Sequence, residues 1–263
     1  SPWRRVEQQV SASFRVVQPL RSLVPPTGAA PGGLPRAHLL GGRPELGEEI
    51  ALRVSARGDT SGLQLYWRGQ TYAVYTGRGW EEGAEGLVEQ SFEAGQAWGI
   101  DFPASTGRRP IVVSVETLAA SRSVVYAPLE PVAVDRPYRA SLRAPGELVA
   151  LSLERPASTY TVLSYVPAPD AAARSGAATP YSSGVMPDYL QLPAGLDPRL
   201  SSLLASWTRD SATQYDKALT LERELRRYSY SLDLPLPPEN RELVSWFIFD
   251  LKRGYCDYYA SAM

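Results

Sequence analysis

Cys256 is the only cysteine in 263 residues, and it stands in the run Gly254-Tyr255-Cys256-Asp257-Tyr258-Tyr259-Ala260-Ser261-Ala262-Met263. Ala, Ser, Met and Tyr all tolerate helix. Tyr259, Ala260 and Met263 follow Cys256 at i+3, i+4 and i+7, which predicts a helix that opens at the cysteine with those three on its face. A thiol in the first turn of a helix lies in the positive end of the macrodipole, which favours the thiolate. A thiolate attacks amide and ester carbonyls to give an acyl-enzyme, which passes its acyl group to an amine or to water. First-turn amides have no partner inside the helix, so the Cys256 N–H is available to an oxyanion. The bland alternative is a small buried hydrophobe, the common fate of a free cysteine.

The neighbours are read in the same way. Gly254, without a Cβ, lets the backbone turn sharply and lets a substrate approach the thiol; an ordinary loop glycine is the competing reading. Asp257 favours the helix start electrostatically, but on a helix it points about 100° away from Cys256, so it is not the acid of a triad. His38, the only histidine, falls in a Pro- and Gly-rich stretch far upstream and reads as an exposed loop residue. Glu48-Glu49 and Glu81-Glu82 read as solvated charge, with neither glycosidase nor metal-site spacing.

The elements that must position the thiol follow from periodicity. Residues 24 to 47 carry Pro25-Pro26, Pro31-Gly32-Gly33 and Gly41-Gly42 and predict a long loop. Before them, 3 to 18 predicts one or two strands. From 48 to 166 the apolar period is two, with strands expected near 50–54, 63–69, 72–75, 87–93, 110–118, 122–127, 138–144, 147–153 and 158–166. Such short strands argue for an antiparallel sandwich or partly closed barrel. Pro167-Ala168-Pro169 and the Ala/Ser/Gly tract after it read as a linker. Then the period becomes helical. Asp197-Pro198 offers a cap with Pro at the first helical position, followed by Leu200, Leu203, Leu204 and Trp207. A second helix over 213–228 caps on Thr213 or Ser211 and places Ala218, Leu221 and Leu225 inward. A short strand over 228–234 follows. A third helix over 240–251 buries Leu243, Trp246, Phe247 and Phe249, and the fourth starts at Cys256.

Gly-Tyr-Cys, an acidic residue, then aromatic-aromatic-Ala-Ser-Ala resembles the nucleophile motif of the transglutaminase-like superfamily, most of all its bacterial membrane-anchored branch. Asp216-Lys217-Ala218 through Leu232 resembles the helix and strand upstream of it. Leu243–Phe249 with Arg253-Gly254-Tyr255-Cys256 resembles the lead-in to the nucleophile. The resemblance covers roughly residues 190 to 263. Trp67-Arg68-Gly69 and Gly77-Arg78-Gly79-Trp80 are similar to the strand-rich segment ahead of the catalytic domain in that branch. The resemblance implies an α+β chain. An N-terminal antiparallel β-sandwich or partly closed barrel (1–168) and a linker (169–187) would precede the helical N-terminal half of a transglutaminase-like, papain-like domain (188–263). It implies Cys256 as catalytic thiol, with Trp246, Tyr228 or Tyr230 as an added oxyanion donor. The His and Asp of the family's triad lie on strands after this helix, and no residue here matches them. The chain is therefore expected to lack activity alone. Flanking transmembrane segments and an extracytoplasmic, membrane-anchored position are implied in the same way.

Composition bounds the alternatives. Apolar residues make up 44% of the chain, enough for a core, and 27 basic against 28 acidic side chains leave a net charge of −1, with no basic patch for nucleic acid. One cysteine excludes an internal disulfide and a cysteine-based zinc site, and no cofactor or metal is expected. No run of roughly 18 apolar residues spans a membrane, and Ser1-Pro2-Trp3-Arg4-Arg5 is not a signal peptide. The expected partner is a protein or peptide substrate, with self-association through an incomplete domain as a further expectation. The competing function is a non-catalytic cell-envelope or protein-binding module with Tyr72, Tyr75 and Trp80 as an aromatic platform, although core packing is the commoner use of each.

Overall fold

The computed structural model describes residues 13–14, 21–23, 37–39, 46–57, 60, 65–82, 87–99, 107–118, 122–143, 146–167 and 189–263. They form two compact units, each drawn from separate stretches of chain. One is drawn from within 1–36, 46–71 and 84–170, the other from within 37–45, 72–83 and 171–263.

The first unit is built mainly on two antiparallel sheets, beside two short two-stranded pairs. A five-stranded sheet runs in the order Ser13–Phe14, Leu52–Arg57, Arg108–Thr117, Thr159–Pro167, Glu130–Val134. A four-stranded sheet runs Arg122–Val124, Glu147–Ala157, Tyr138–Arg143, Val88–Phe92. Alternation makes them. Leu52, Val54 and Ala56 are buried while Arg53 and Arg57 are exposed, the period of a strand with one wet face. Ile111, Val113 and Val115 from the first sheet meet Ala140, Leu142, Leu151 and Leu153 from the second in one hydrophobic cluster. The sheets stay open at their edges, so the partly closed barrel does not form.

Most expected strands are present, with ends shifted by up to about four residues. Glu130–Val134 was not expected. Four of its five residues are buried without alternation and one is Pro131, so neither period nor composition marks it. Pro131 is tolerated because the strand is the last in its sheet. The loop read over 24–47 is partly strand: Ala37–Leu39 pairs with Gly79–Glu81, placing His38 opposite Trp80, and Leu46–Ile50 pairs with Arg21–Leu23. Glycine and proline punctuate these short strands closely enough to hide them. The expected strand residues 3–12, 15–18 and 63–64 and the linker 169–187 lie outside the described residues.

In the second unit the helices are α1 (Pro198–Trp207), α2 (Gln214–Leu225), α3 (Leu243–Ser245) and α4 (Cys256–Ala262). Asp197 caps α1 through Arg199 N–H. Thr213 caps α2 in a reciprocal capping box with Asp216. Two inward assignments fail: Leu204 and Ala218 are exposed, because α1 and α2 bury only a narrow stripe, with Leu225 the one fully buried residue of the two helices. The third expected helix is a single α turn that widens into a π-helix over Trp246–Leu251. No helix among the described residues is long and apolar enough to cross a membrane.

Tyr160 ties the first unit together. Its hydroxyl accepts from Tyr126 N–H at 2.7 Å and donates to Tyr126 C=O at 2.9 Å. Tyr160→Phe keeps the ring and strands both backbone groups, each a partly buried polar group left without its partner. Urea unfolding should show a loss of about 1–3 kcal/mol. A change within about 0.5 kcal/mol, the ordinary range for surface substitutions, would show that the ring alone carries this residue's contribution.

Candidate active site

The chain reaches Cys256 through a tightly constrained approach. In the π-helix, Lys252 N–H bonds Phe247 C=O at 2.9 Å, an i→i−5 closure that inserts one extra residue in the turn. Lys252 then takes a left-handed conformation with φ 53°, which ends the helix and turns the chain into Arg253–Gly254. These two residues pair in parallel with Ser229–Tyr230, and Ser231 N–H adds a bond to Gly254 C=O at 2.8 Å. A two-residue ladder thus brings Tyr230 beside the start of α4, 26 positions on in sequence.

Gly254 is required for close approach rather than for a sharp turn. A Cβ there would lie 2.9 Å from Phe247 Cε2 and 3.0 Å from Tyr258 Cβ, inside the distance real Cβ atoms keep. The rings of Phe247 and Tyr258, with centroids 5.7 Å apart, close over the glycine. Tyr255 and Tyr258 are buried and meet edge to face at 5.3 Å.

The helix keeps the shared face that the spacing predicts for Cys256, Ala260 and Met263, and that face is the exposed one. Its buried side carries Tyr258, while Cys256, Ala260 and Met263 are exposed. The buried-hydrophobe reading of Cys256 fails on that exposure. The three aromatic candidates around the thiol separate cleanly. Trp246 is buried and packs on Tyr258. The Tyr228 hydroxyl donates to Ile248 C=O at 3.2 Å. Tyr230 is 64% exposed, and its hydroxyl is pushed above its ordinary pKa first by loss of hydration and then by the charge of the Cys256 thiol, with the Cys256 backbone N–H acting the other way. Tyr259, whose hydroxyl bonds Tyr228 C=O at 2.9 Å, supports the Tyr230 ring in a near-parallel stack at 6.3 Å.

The electrostatics run against the helix-terminus expectation. The Cys256 thiol is pushed above its ordinary pKa, first by loss of hydration and then by the Asp257 carboxylate, whose Oδ1 accepts from Sγ at 3.5 Å. The residue is exposed by area, yet the protein on its helix side takes part of the hydration a thiolate needs. Backbone N–H groups at the helix start pull the other way and do not win. A helix macrodipole is worth about 0.3–1 kcal/mol at an exposed position, and α4 has only seven residues.

Tyr75 and Trp80 do not form a surface platform. Tyr75 is buried and joins the same hydrophobic cluster as Leu243, Phe247 and Tyr258, with Trp80 packed against it. No group of three or more His, Cys, Asp and Glu residues suited to a metal occurs among the described residues.

The chain belongs to the TgpA N-terminal domain family, whose sequence profile matches residues 14–171. It is 26% identical over 215 residues to the uncharacterised protein YebA of Bacillus subtilis (strain 168), an alignment that takes in 76% of this chain and 29% of that relative. The chain thus aligns with under a third of the length of the curated relative it matches. Among solved structures it is similar in fold to the periplasmic domain of TgpA from Pseudomonas aeruginosa. The TM-score is 0.51 at 22% identity, covering 81% of this chain and 68% of that one.

Two substitutions test the site. Gly254→Ala overfills the Phe247–Tyr258 contact and should cost about 1–3 kcal/mol of stability in denaturant unfolding; no loss would mean that the rings move aside freely. Asp257→Asn removes the charge beside the thiol. Alkylation by iodoacetamide follows the thiolate, so its pH profile should lie above the ordinary thiol midpoint of about 8.5 in the wild type and shift downward in the variant. An unchanged or higher midpoint would show that Asp257 does not hold the thiol protonated.

Proposed function

We propose that this chain carries the nucleophile of a transglutaminase-like cysteine acyltransferase or peptidase on the extracytoplasmic side of a bacterial membrane. The observation that carries the reading is an exposed Cys256 thiol at the start of α4 with Tyr230 held beside it by the Arg253–Gly254 ladder. Family membership and the likeness to a periplasmic domain support the location. Under this reading the two open sheets with a shared core are a β-sandwich accessory module. Residues 188–263 are then the helical part of the transglutaminase-like core.

The chemistry follows from the arrangement. Cys256 Sγ, once deprotonated, attacks the carbonyl carbon of an amide or ester in a protein or peptide. The carbonyl oxygen gains negative charge, which the Cys256 N–H and the Tyr230 O–H stabilise by donating to it. The tetrahedral adduct collapses, the C–N or C–O bond breaks, and the leaving group departs with a proton. An amine or water then attacks the thioester, releasing the acyl product and the thiol. Because the resting thiol is held protonated, a general base is needed. The resemblance assigns that base to a histidine on a later strand, so residues 1–263 by themselves are expected to be inactive.

The test is amine incorporation and ester hydrolysis by the full-length gene product. Cys256→Ala should abolish both. Tyr230→Phe should lower kcat by roughly 10²–10³-fold, the usual effect of removing one oxyanion donor, while alkylation of Cys256 persists. Activity that survives Cys256→Ala would overturn the reading and favour a non-catalytic cell-envelope or protein-binding module.

A further inference from the structure

The residues from Tyr72 to Glu82 lie within the segment matched by the N-terminal family profile, yet they pack in the compact unit that holds the thiol. They form the hairpin of Val74–Tyr75 and Gly79–Glu81, and its contacts are specific. Trp80 Nε1 donates to Ser261 Oγ at 2.8 Å, in the last turn of α4. The Tyr75 hydroxyl donates to the Glu242 carboxylate. That carboxylate also accepts from Val244 N–H at 2.8 Å and Ser245 N–H at 2.7 Å, so it caps α3. Leu243 N–H bonds Gly77 C=O at 2.9 Å. Arg78 Nη1 donates to the carbonyls of Pro238 and Arg241 at 2.6 and 3.0 Å, and its charge acts on the buried Tyr258 hydroxyl.

These bonds fall at the two ends of one stretch. Pro238, Arg241, Glu242 and Leu243 are where the chain enters the α3–π-helix segment, and Ser261 is where α4 ends. Much of what sets the thiol lies between them: Phe247, Gly254, Tyr255, Cys256 and Tyr258. We propose that the hairpin is a clamp on the nucleophile segment, and that Trp80 is a positioning residue for Cys256, acting through Ser261 on the α4 helix. α4 has seven residues, too few to be stable by itself, so its register depends on what holds its two ends. Tyr258 and Gly254 hold the first. Trp80 holds the second.

The clamp concerns the same thiol as the proposed reaction and rests on its reactivity. Alkylation and amide exchange read it whether or not acyl transfer follows, so the two proposals fail separately. Trp80→Phe removes the N–H and keeps an aromatic ring; Ser261→Ala removes the same bond from the other side. In each variant the amides of residues 256–262 should exchange with deuterium roughly two- to tenfold faster, the effect of losing one hydrogen bond. The pH profile of Cys256 alkylation should move toward the ordinary thiol midpoint of about 8.5. The double variant should match the worse single one, because both changes remove one interaction. If Trp80→Phe does not fold, Ser261→Ala alone decides. Unchanged exchange and an unchanged alkylation profile in Ser261→Ala, or additive effects in the double variant, would overturn the clamp.

Discussion

The absence of a side chain at Gly254 is the constraint from which the site follows. Phe247 and Tyr258 occupy the space a Cβ would need, so a π-helix residue and an α4 residue touch across the glycine backbone. That contact has two consequences. It holds Arg253–Gly254 flat enough to pair with Ser229–Tyr230, which delivers Tyr230. It also fixes the buried face of α4 on Tyr258, which leaves Cys256, two residues earlier, on the outside. The extra residue of the π-helix and the left-handed Lys252 set the length and direction of the approach. Widened helix turns of this kind are uncommon and frequently occur at functional sites. Here the turn spaces Phe247 from Gly254 so that the ring meets the glycine.

The thiol is exposed at a helix start, yet its surroundings do not favour the thiolate. Position at a helix start and activation by a helix start are separate matters, and the second depends on what else is nearby. Asp257 complements the positive end of α4, which favours the helix, and the same carboxylate opposes a second negative charge on Sγ. A residue that is good for the helix is therefore bad for the thiolate. Under the proposed function this arrangement suits a nucleophile that stays protonated until a base and a substrate are both present, since a permanently ionised exposed thiol is open to oxidation.

Much of this was legible in the sequence, and the rest was hidden for identifiable reasons. The Asp197-Pro198 and Thr213–Asp216 caps are local chemistry and can be read directly. So can the start of α4 at Cys256. The strand Glu130–Val134 is invisible to a period-two reading because it is buried on successive residues. The strand at His38 is masked by the glycines and prolines around it. Leu204 and Ala218 were assigned inward on helical spacing, but spacing fixes which residues share a face, not how wide the covering surface is. The role of Gly254 was read as backbone freedom. Its actual reason, the Phe247 ring from seven residues before and the Tyr258 Cβ from four after, needs tertiary structure. So does the choice of Tyr230 over Tyr228 and Trp246, which rests on a two-residue parallel ladder too short to announce itself.

Linear segments also mislead about what holds the nucleophile. Composition changes sharply around residues 167–187, and that change marks where strand-like sequence gives way to helix-like sequence. It does not mark every place where packing changes, since 72–83 already belongs with the later residues. Tyr75, Trp80 and Arg78 carry the alternation and turn glycines of a β module, yet their partners are Glu242, Ser261 and the carbonyls of Pro238 and Arg241. Without the hairpin, the Glu242 carboxylate loses a phenol donor, Leu243 N–H loses its carbonyl, and the cluster around Phe247 and Tyr258 loses the ring of Tyr75. A half-satisfied buried polar group costs more than the bond it lost contributed. The helical residues before and after Cys256 thus depend on a hairpin more than 150 positions earlier in the chain, and the functional unit is discontinuous in sequence although it is continuous in its core.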